Sequence, residues 1–185
     1  MNLFDIISTL THDTIDKVNL ATTLPLIDSD FIKTYNHVAG REHYRLLAHI
    51  GSLINDSNIL DVGTYKGYSA IAFSTNTTNH VTSYDVRNQH NRQNSNSIEF
   101  RIGEAIEYEK YKTTPIILLD TYHDGVYESR FIEHLRAIGW NGVLIMDDIH
   151  EFKALEKLFD SLPEKKHDIT SIGHWSGTGI VKFGQ

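Results

Sequence analysis

Residues 58–69 read NILDVGTYKGYS, an apolar run that ends in an acid and passes into a loop carrying two glycines. Ile59, Leu60 and Val62 predict a buried strand, and Gly63 and Gly67 punctuate a turn that hands the chain to a helix beginning near Tyr68. Glycine at position 63 permits positive φ and close approach of backbone to a ligand, and the amides of a helix start favour electronegative groups. A small ligand over this loop is one reading. A strand, turn and helix with nothing bound is the other, because glycine-rich turns are common.

Upstream, His43, Leu46, Leu47, Ile50, Leu53 and Ile54 recur at helical spacing until Asn55, Asp56 and Ser57 end the pattern. Downstream, residues 68–74 predict a helix and residues 80–86, HVTSYDV, a second strand with Asp85 at its end. The polar tract 88–97, NQHNRQNSNS, reads as a solvated connector or a lid. Residues 97–102 give a third strand, 103–105 a turn, and 115–120, PIILLD, a continuously apolar fourth strand. Tyr127, Phe131, Leu135 and Ile138 mark one face of a helix that stops at Gly139. GVLIM at 142–146 is a fifth strand running into Asp147 and Asp148, and Phe152, Leu155, Phe159 and Leu162 mark a helix closed by Pro163. The tail, 167–172 and 178–183, reads as a hairpin around residues 173–177.

Strands alternating with helices imply an α/β fold: a doubly wound, mostly parallel sheet of seven strands ending in an antiparallel hairpin. A length of 185 residues predicts one domain. Residues 38–185 form its core, and residues 1–37 a helical extension. Leu3, Phe4, Ile7 and Leu10 suit one short helix there and residues 28–35 another. This extension is left to cover the site, to mediate a homodimer or to do neither.

The net charge of −7 and the absence of any basic run argue against a nucleic-acid or anionic-membrane partner. The lack of cysteine excludes disulfides, thiolate metal sites and cysteine nucleophiles. The acidic amino terminus has no basic flank, and no apolar run approaches the roughly 18 residues of a membrane span. These features predict a soluble, cytoplasmic protein.

The fourth and fifth strands are parallel neighbours in this topology, so Asp120, Asp147 and Asp148 converge at the carboxyl edge, where open α/β sheets bind ligands. Three close carboxylates repel unless a cation neutralises them, and Mg²⁺ with oxygen ligands is the economical choice. Helix capping and exposure to water are the alternative.

ILDVGTYKGYSA resembles the first motif of the class I S-adenosylmethionine-dependent methyltransferases, and the match runs over residues 40–183. The resemblance implies a Rossmann-like methyltransferase fold in which Asp61, Gly63, Thr64 and Gly67, with Tyr65 and Ser69 of the same loop, surround the methionine end of the cofactor. It implies ribose binding by Asp85, adenine contact near Glu104 and Ala105 of RIGEA, and cofactor contact by Asp120. A cap or solvated carboxylate is the other reading of Asp85. Nicotinamide-binding domains carry G-x-G-x-x-G, from which this loop departs.

LLDTYHDGVYE followed by GVLIMDDIH is similar to the metal-dependent O-methyltransferases. Catechol-type members usually have asparagine as third ligand; Asp148 makes this chain more similar to sugar-modifying members associated with macrolide and aminocoumarin antibiotics. That likeness implies Mg²⁺ on Asp120, Asp147 and Asp148, with His123 as base. The long substrate-binding insertions of many such enzymes have no counterpart here. The expectation is Mg²⁺-dependent O-methylation of a hydroxylated small molecule or sugar. A metal-independent methyltransferase and a non-catalytic S-adenosylmethionine-binding module are the alternatives. His150 could support the acid pair or cap a helix, and His174 and Trp175 at the hairpin tip could line a substrate mouth or an oligomer contact; a structural role is the preferred reading of each.

Overall fold

The strands fall where apolar runs meet turn residues: β1 (Asn58–Val62), β2 (His80–Asp85), β3 (Ile98–Ile102), β4 (Ile116–Leu119), β5 (Gly142–Asp147), β6 (Lys165–Asp168) and β7 (Thr178–Phe183). In the computed structural model, residues 2–184 are described apart from 22, 30 and 31. The strands form one sheet in the order β3-β2-β1-β4-β5-β7-β6, parallel except for β7, which runs antiparallel to both β5 and β6. The strand order reverses between β1 and β4, which pair from Ile59↔Ile116 to Val62↔Leu119. In a doubly wound sheet that reversal opens a crevice at the carboxyl edge.

The helices are α1 (Leu3–Ile7), α2 (His12–Ile15), α3 (Ile32–Asn36), α4 (Val38–Ser52), α5 (Tyr68–Phe73), α6 (Val126–Ala137) and α7 (Lys153–Ser161). Successive strand residues point to opposite faces, and the core divides accordingly. Ile59, Ile116 and Ile145 join α1, α2, α4 and α5 in one apolar cluster. Their neighbours Leu60, Ile117 and Leu144 join α6 and α7 in the other.

One expectation needs adjustment. The first hairpin strand is Lys165–Asp168, upstream of the expected 167–172. KKHD is a polar edge strand with no alternation to announce it, whereas Ile169 and Ile172 are buried in the turn that follows, where the Ile172 amide donates to the Ile169 carbonyl at 2.9 Å. The amino-terminal helical extension packs onto the sheet. Phe4, Ile7, Ile15, Leu20, Ile27 and Tyr35 are all buried in the first cluster. Of the expected helix over 28–35, positions 30 and 31 lie outside the described residues, and α3 occupies its later part.

The polar tract 88–97 contains no helix or strand. It is held by Arg92, which donates through Nε to the Lys66 carbonyl at 2.5 Å, also donates to the Leu26 carbonyl, and lies 5.0 Å from the Tyr68 ring. No helix among the described residues is long and apolar enough to cross a membrane.

Candidate active site

β1 delivers Asp61 into a fully buried position, where Oδ2 accepts from Ser69 Oγ at 3.0 Å and from Ser83 Oγ at 2.5 Å. The Thr64 hydroxyl lies 2.7 Å from that of Ser83, so the side chains of Asp61, Thr64 and Ser69 make a network beneath the glycine loop. Asp61 Oδ1 is buried without a hydrogen-bond partner among the described residues. Burial pushes this carboxyl up to about 6 against the opposing pull of the two serine hydroxyls.

The loop above folds tightly. Gly63 has φ 107° and Gly67 φ 77°, and between them Tyr65 takes a left-handed φ of 44°. A β-carbon on Gly63 would collide with the Asp120 carbonyl, so only glycine lets β1 leave the sheet beside β4. The Tyr65 amide donates to Asp85 Oδ2 and the Arg87 amide to Oδ1, each at 2.9 Å. Gln89 Nε2 adds a long contact to Oδ2 at 3.4 Å, so of the about four acceptor sites of a carboxylate Asp85 keeps about one.

A cleft of about 290 Å³ opens here at the strand-order reversal. Gly63, Tyr65, Asp85, Asp120 and His123 all line it. Gly67 instead caps α5 and faces Arg92 and Phe100. Glu104 lies outside the cleft in an ion pair with Arg130, and Ala105 is buried, its carbonyl accepting from Tyr111 Oη at 2.7 Å.

At the cleft floor, His123 Nε2 stands 3.4 Å from Asp120 Oδ1 and 3.2 Å from Asp148 Oδ2. The imidazole stacks on Phe152 with ring centres 5.3 Å apart and planes 6° from parallel. The buried Glu128 carboxylate accepts from the His123 amide at 2.8 Å and from Thr121 Oγ1 at 2.6 Å. His123 and Asp148 both hold positive φ, 59° and 57°. Such strain costs about 1–3 kcal/mol per residue and collects at functional sites.

Asp147 turns elsewhere. Its Oδ1 lies 3.7 Å from His43 Nδ1 and its Oδ2 3.8 Å from His174 Nδ1. Among the described residues the ligand-competent atoms thus form two groups, Asp120 with His123 and Asp148, and His43 with Asp147 and His174. Burial, then the charges of Asp147 and Asp148, hold the Asp120 carboxyl well above the carboxylate range. Burial and the neighbouring Asp148 raise Asp147 to about 7. Burial acts upward on Asp148 too, but hydrogen bonds from His174 and Ser176 and the nearby His123 carry it below its ordinary value. Burial, reinforced by His174, drives His43 down to about 3, so its imidazole is neutral at ordinary pH.

No protein-family profile and no curated protein sequence matches the chain. Solved structures do. An S-adenosylhomocysteine-bound O-methyltransferase from Bacillus cereus is 15% identical, with 94% of this chain and 93% of that one covered at a TM-score of 0.57. The O-methyltransferase TomG of tomaymycin synthesis from Streptomyces achromogenes, bound to S-adenosylmethionine, is 12% identical over 100% of this chain and 91% of that one, TM-score 0.56. An S-adenosylhomocysteine-bound methyltransferase from Podospora anserina is 13% identical, covering 95% and 97%, TM-score 0.55. The fold is that of a class I methyltransferase.

Within this methyltransferase fold, two histidines of the acid cluster escaped the sequence reading. His43 sits at a core-facing position of α4 and is only 8% exposed. His174, at the hairpin tip, lies 3.4 Å from Asp148 Oδ1 and also contacts Ser176 Oγ, whose hydroxyl lies against the same carboxylate. Neither carries a local signal in the sequence: a histidine at a core-facing helix position and another in a turn meet the acid pair only through tertiary packing.

Proposed function

We propose that this chain is an S-adenosylmethionine-dependent O-methyltransferase acting on a hydroxylated small molecule or sugar, assisted by a divalent ion such as Mg²⁺. One observation carries the reading: the glycine loop, Asp85, Asp120 and His123 line a single cleft. The O-methyltransferases named among the structural neighbours support it. The cofactor fits the chemistry of the loop, because Asp61 keeps an unpartnered buried oxygen beneath it and a sulfonium cofactor carries cationic groups. A divalent ion fits Asp120 and Asp148, two carboxylates flanking one imidazole. When bound, it would lower the pKa of a chelated hydroxyl and fix the direction of its oxygen.

The residues divide the remaining work. Asp85 accepts a hydrogen bond from a ribose hydroxyl, and Tyr65 closes over the loop. His123 takes the acceptor hydroxyl's proton, its ring plane fixed by stacking on Phe152. Bound S-adenosylmethionine would supply the methyl group to the freed oxygen, with the bonding pair leaving on its sulfur. Alignment in the cleft supplies most of the remaining acceleration.

Calorimetric titration of S-adenosylmethionine into metal-stripped protein, with and without Mg²⁺, tests the cofactor first. Saturable one-to-one binding is expected, followed by methyl transfer to a member of a diol, catechol and sugar panel. His123→Ala should leave cofactor affinity nearly intact while lowering turnover by about 10²-fold or more. Absence of binding in both titrations would overturn the reading. A second reading, methyl transfer without metal, is favoured by the imidazole already lying between two carboxylates; turnover that persists in chelator would select it.

A further inference from the structure

Asp147 presents an unresolved polar group. It is 5% exposed, and its Oδ1 is buried with no hydrogen-bond partner among the described residues. A buried polar atom left unpaired costs about 1–3 kcal/mol, yet His43 and His174 stand close on either side. Their Nδ1 atoms are 3.7 and 3.8 Å from the two carboxylate oxygens, too far for hydrogen bonds. One donor atom from each residue falls within 4.8 Å of the others.

Small side-chain rotations bring one donor atom of each residue onto a shared ion. With metal–ligand bonds of about 2.0–2.2 Å in a tetrahedron, neighbouring donors lie about 3.4 Å apart. Two imidazoles and one carboxylate make a borderline donor set that suits Zn²⁺ or Co²⁺, whereas Mg²⁺ prefers an oxygen shell with near-ideal octahedral geometry. We propose that His43, Asp147 and His174 form a site for a borderline transition-metal ion, of which Zn²⁺ is the reference, separate from the Asp120, His123 and Asp148 cluster.

The three ligands come from α4, the end of β5 and the turn before β7, so the ion clips the amino-terminal helical layer and the hairpin tip to the centre of the sheet. Tyr44 backs the His43 ring edge-on at 5.0 Å, and the two imidazoles are 5.4 Å apart. His174 Nδ1 also touches Ser176 Oγ and lies 3.4 Å from Asp148 Oδ1, so binding exchanges those contacts for the metal. The site stands whether or not the chain transfers methyl groups.

The test is titration of metal-free, full-length protein with Co²⁺, read by visible d–d absorption. One equivalent should give bands of tetrahedral or five-coordinate intensity, bleached by Zn²⁺ and unaffected by excess Mg²⁺. His174→Ala and His43→Phe should each weaken Co²⁺ binding by at least about tenfold, and Asp120→Asn should leave it within about twofold. Weak six-coordinate bands, displacement by Mg²⁺, or loss of binding in Asp120→Asn but not in the histidine variants would overturn the site. If the buried His43→Phe variant fails to fold, His174→Ala decides alone, since that side chain is 26% exposed.

Discussion

Asp61 shows how a buried carboxyl makes stability depend on pH. Its folded pKa of about 6 stands above the ordinary 3.8, so the unfolded chain releases this proton more readily than the native state does. Stability therefore falls as pH rises from about 4 to about 6, and above that the full cost of about 3 kcal/mol is in place. Asp61→Asn removes the charge while keeping an acceptor for Ser69 and Ser83. We expect it to match the parent near pH 4, to exceed it by up to about 3 kcal/mol near pH 8, and to bind S-adenosylmethionine more weakly. Urea midpoints across that range, with calorimetry, measure both effects; a variant less stable at every pH would show that the ionised form is not strained. Gly63 gives a second residue-scale prediction. Gly63→Ala places a methyl against the Asp120 backbone at positive φ and should cost about 3 kcal/mol or more. Gly67→Ala should cost less, because the side chains of Arg92 and Phe100 that it meets are able to move. Equal losses in urea unfolding would count against this distinction.

At the scale of elements, local pattern predicted what local pattern controls. The strand, glycine turn and helix over 58–73 were legible because apolar spacing and glycine punctuation lie within one stretch of chain. So were the strand ends that place Asp85 and Asp120 at the carboxyl edge. His43 was hidden because a histidine on the core face of α4 has the same spacing as leucine; only the packing of α4 onto the sheet brings it to Asp147. Likewise His174 gains meaning only when the hairpin folds back beside β5. The edge strand β6 lacks an apolar signal, and its position is fixed by pairing with β7 and by a charged clip. In that clip, Glu164, just before β6, accepts from Arg136 Nε of α6 at 2.6 Å, and this partner lowers the Glu164 pKa. A depressed acid contributes stability that is present above its unfolded pKa and is lost as pH falls through the folded one. Glu164→Gln should thus cost about 0.5–1 kcal/mol at neutral pH and nothing once the acid is protonated. Chemical denaturation at neutral and acidic pH would reveal a pH-independent loss if the contact were merely steric.

Across the whole molecule, the two faces of the sheet are covered by different parts of the chain. The α6 and α7 face is closed by segments that lie between and beyond the later strands. The opposite face depends on residues before the sheet begins, with Phe4, Ile7, Ile15, Leu20, Ile27 and Tyr35 sealing it. A fully buried large apolar side chain contributes about 1.5–3 kcal/mol, so losing all six removes a quantity comparable with the net stability of a typical domain, about 5–15 kcal/mol. A chain starting at Val38 would also bare β5 and β7, which α1 packs against. We expect residues 38–185 expressed alone to lack a cooperative thermal transition and to bind hydrophobic dye, while Ile7→Ala in the full chain stays folded with a loss of about 2–5 kcal/mol. Circular dichroism melts of both proteins provide the measurement. A sharp transition in the truncated chain would make the first 37 residues a separable cover. Its absence, beside a folded Ile7→Ala, would make the amino-terminal helices part of the same cooperative unit as the cleft, so that the position of α4, and with it His43, is set from both ends of the sequence.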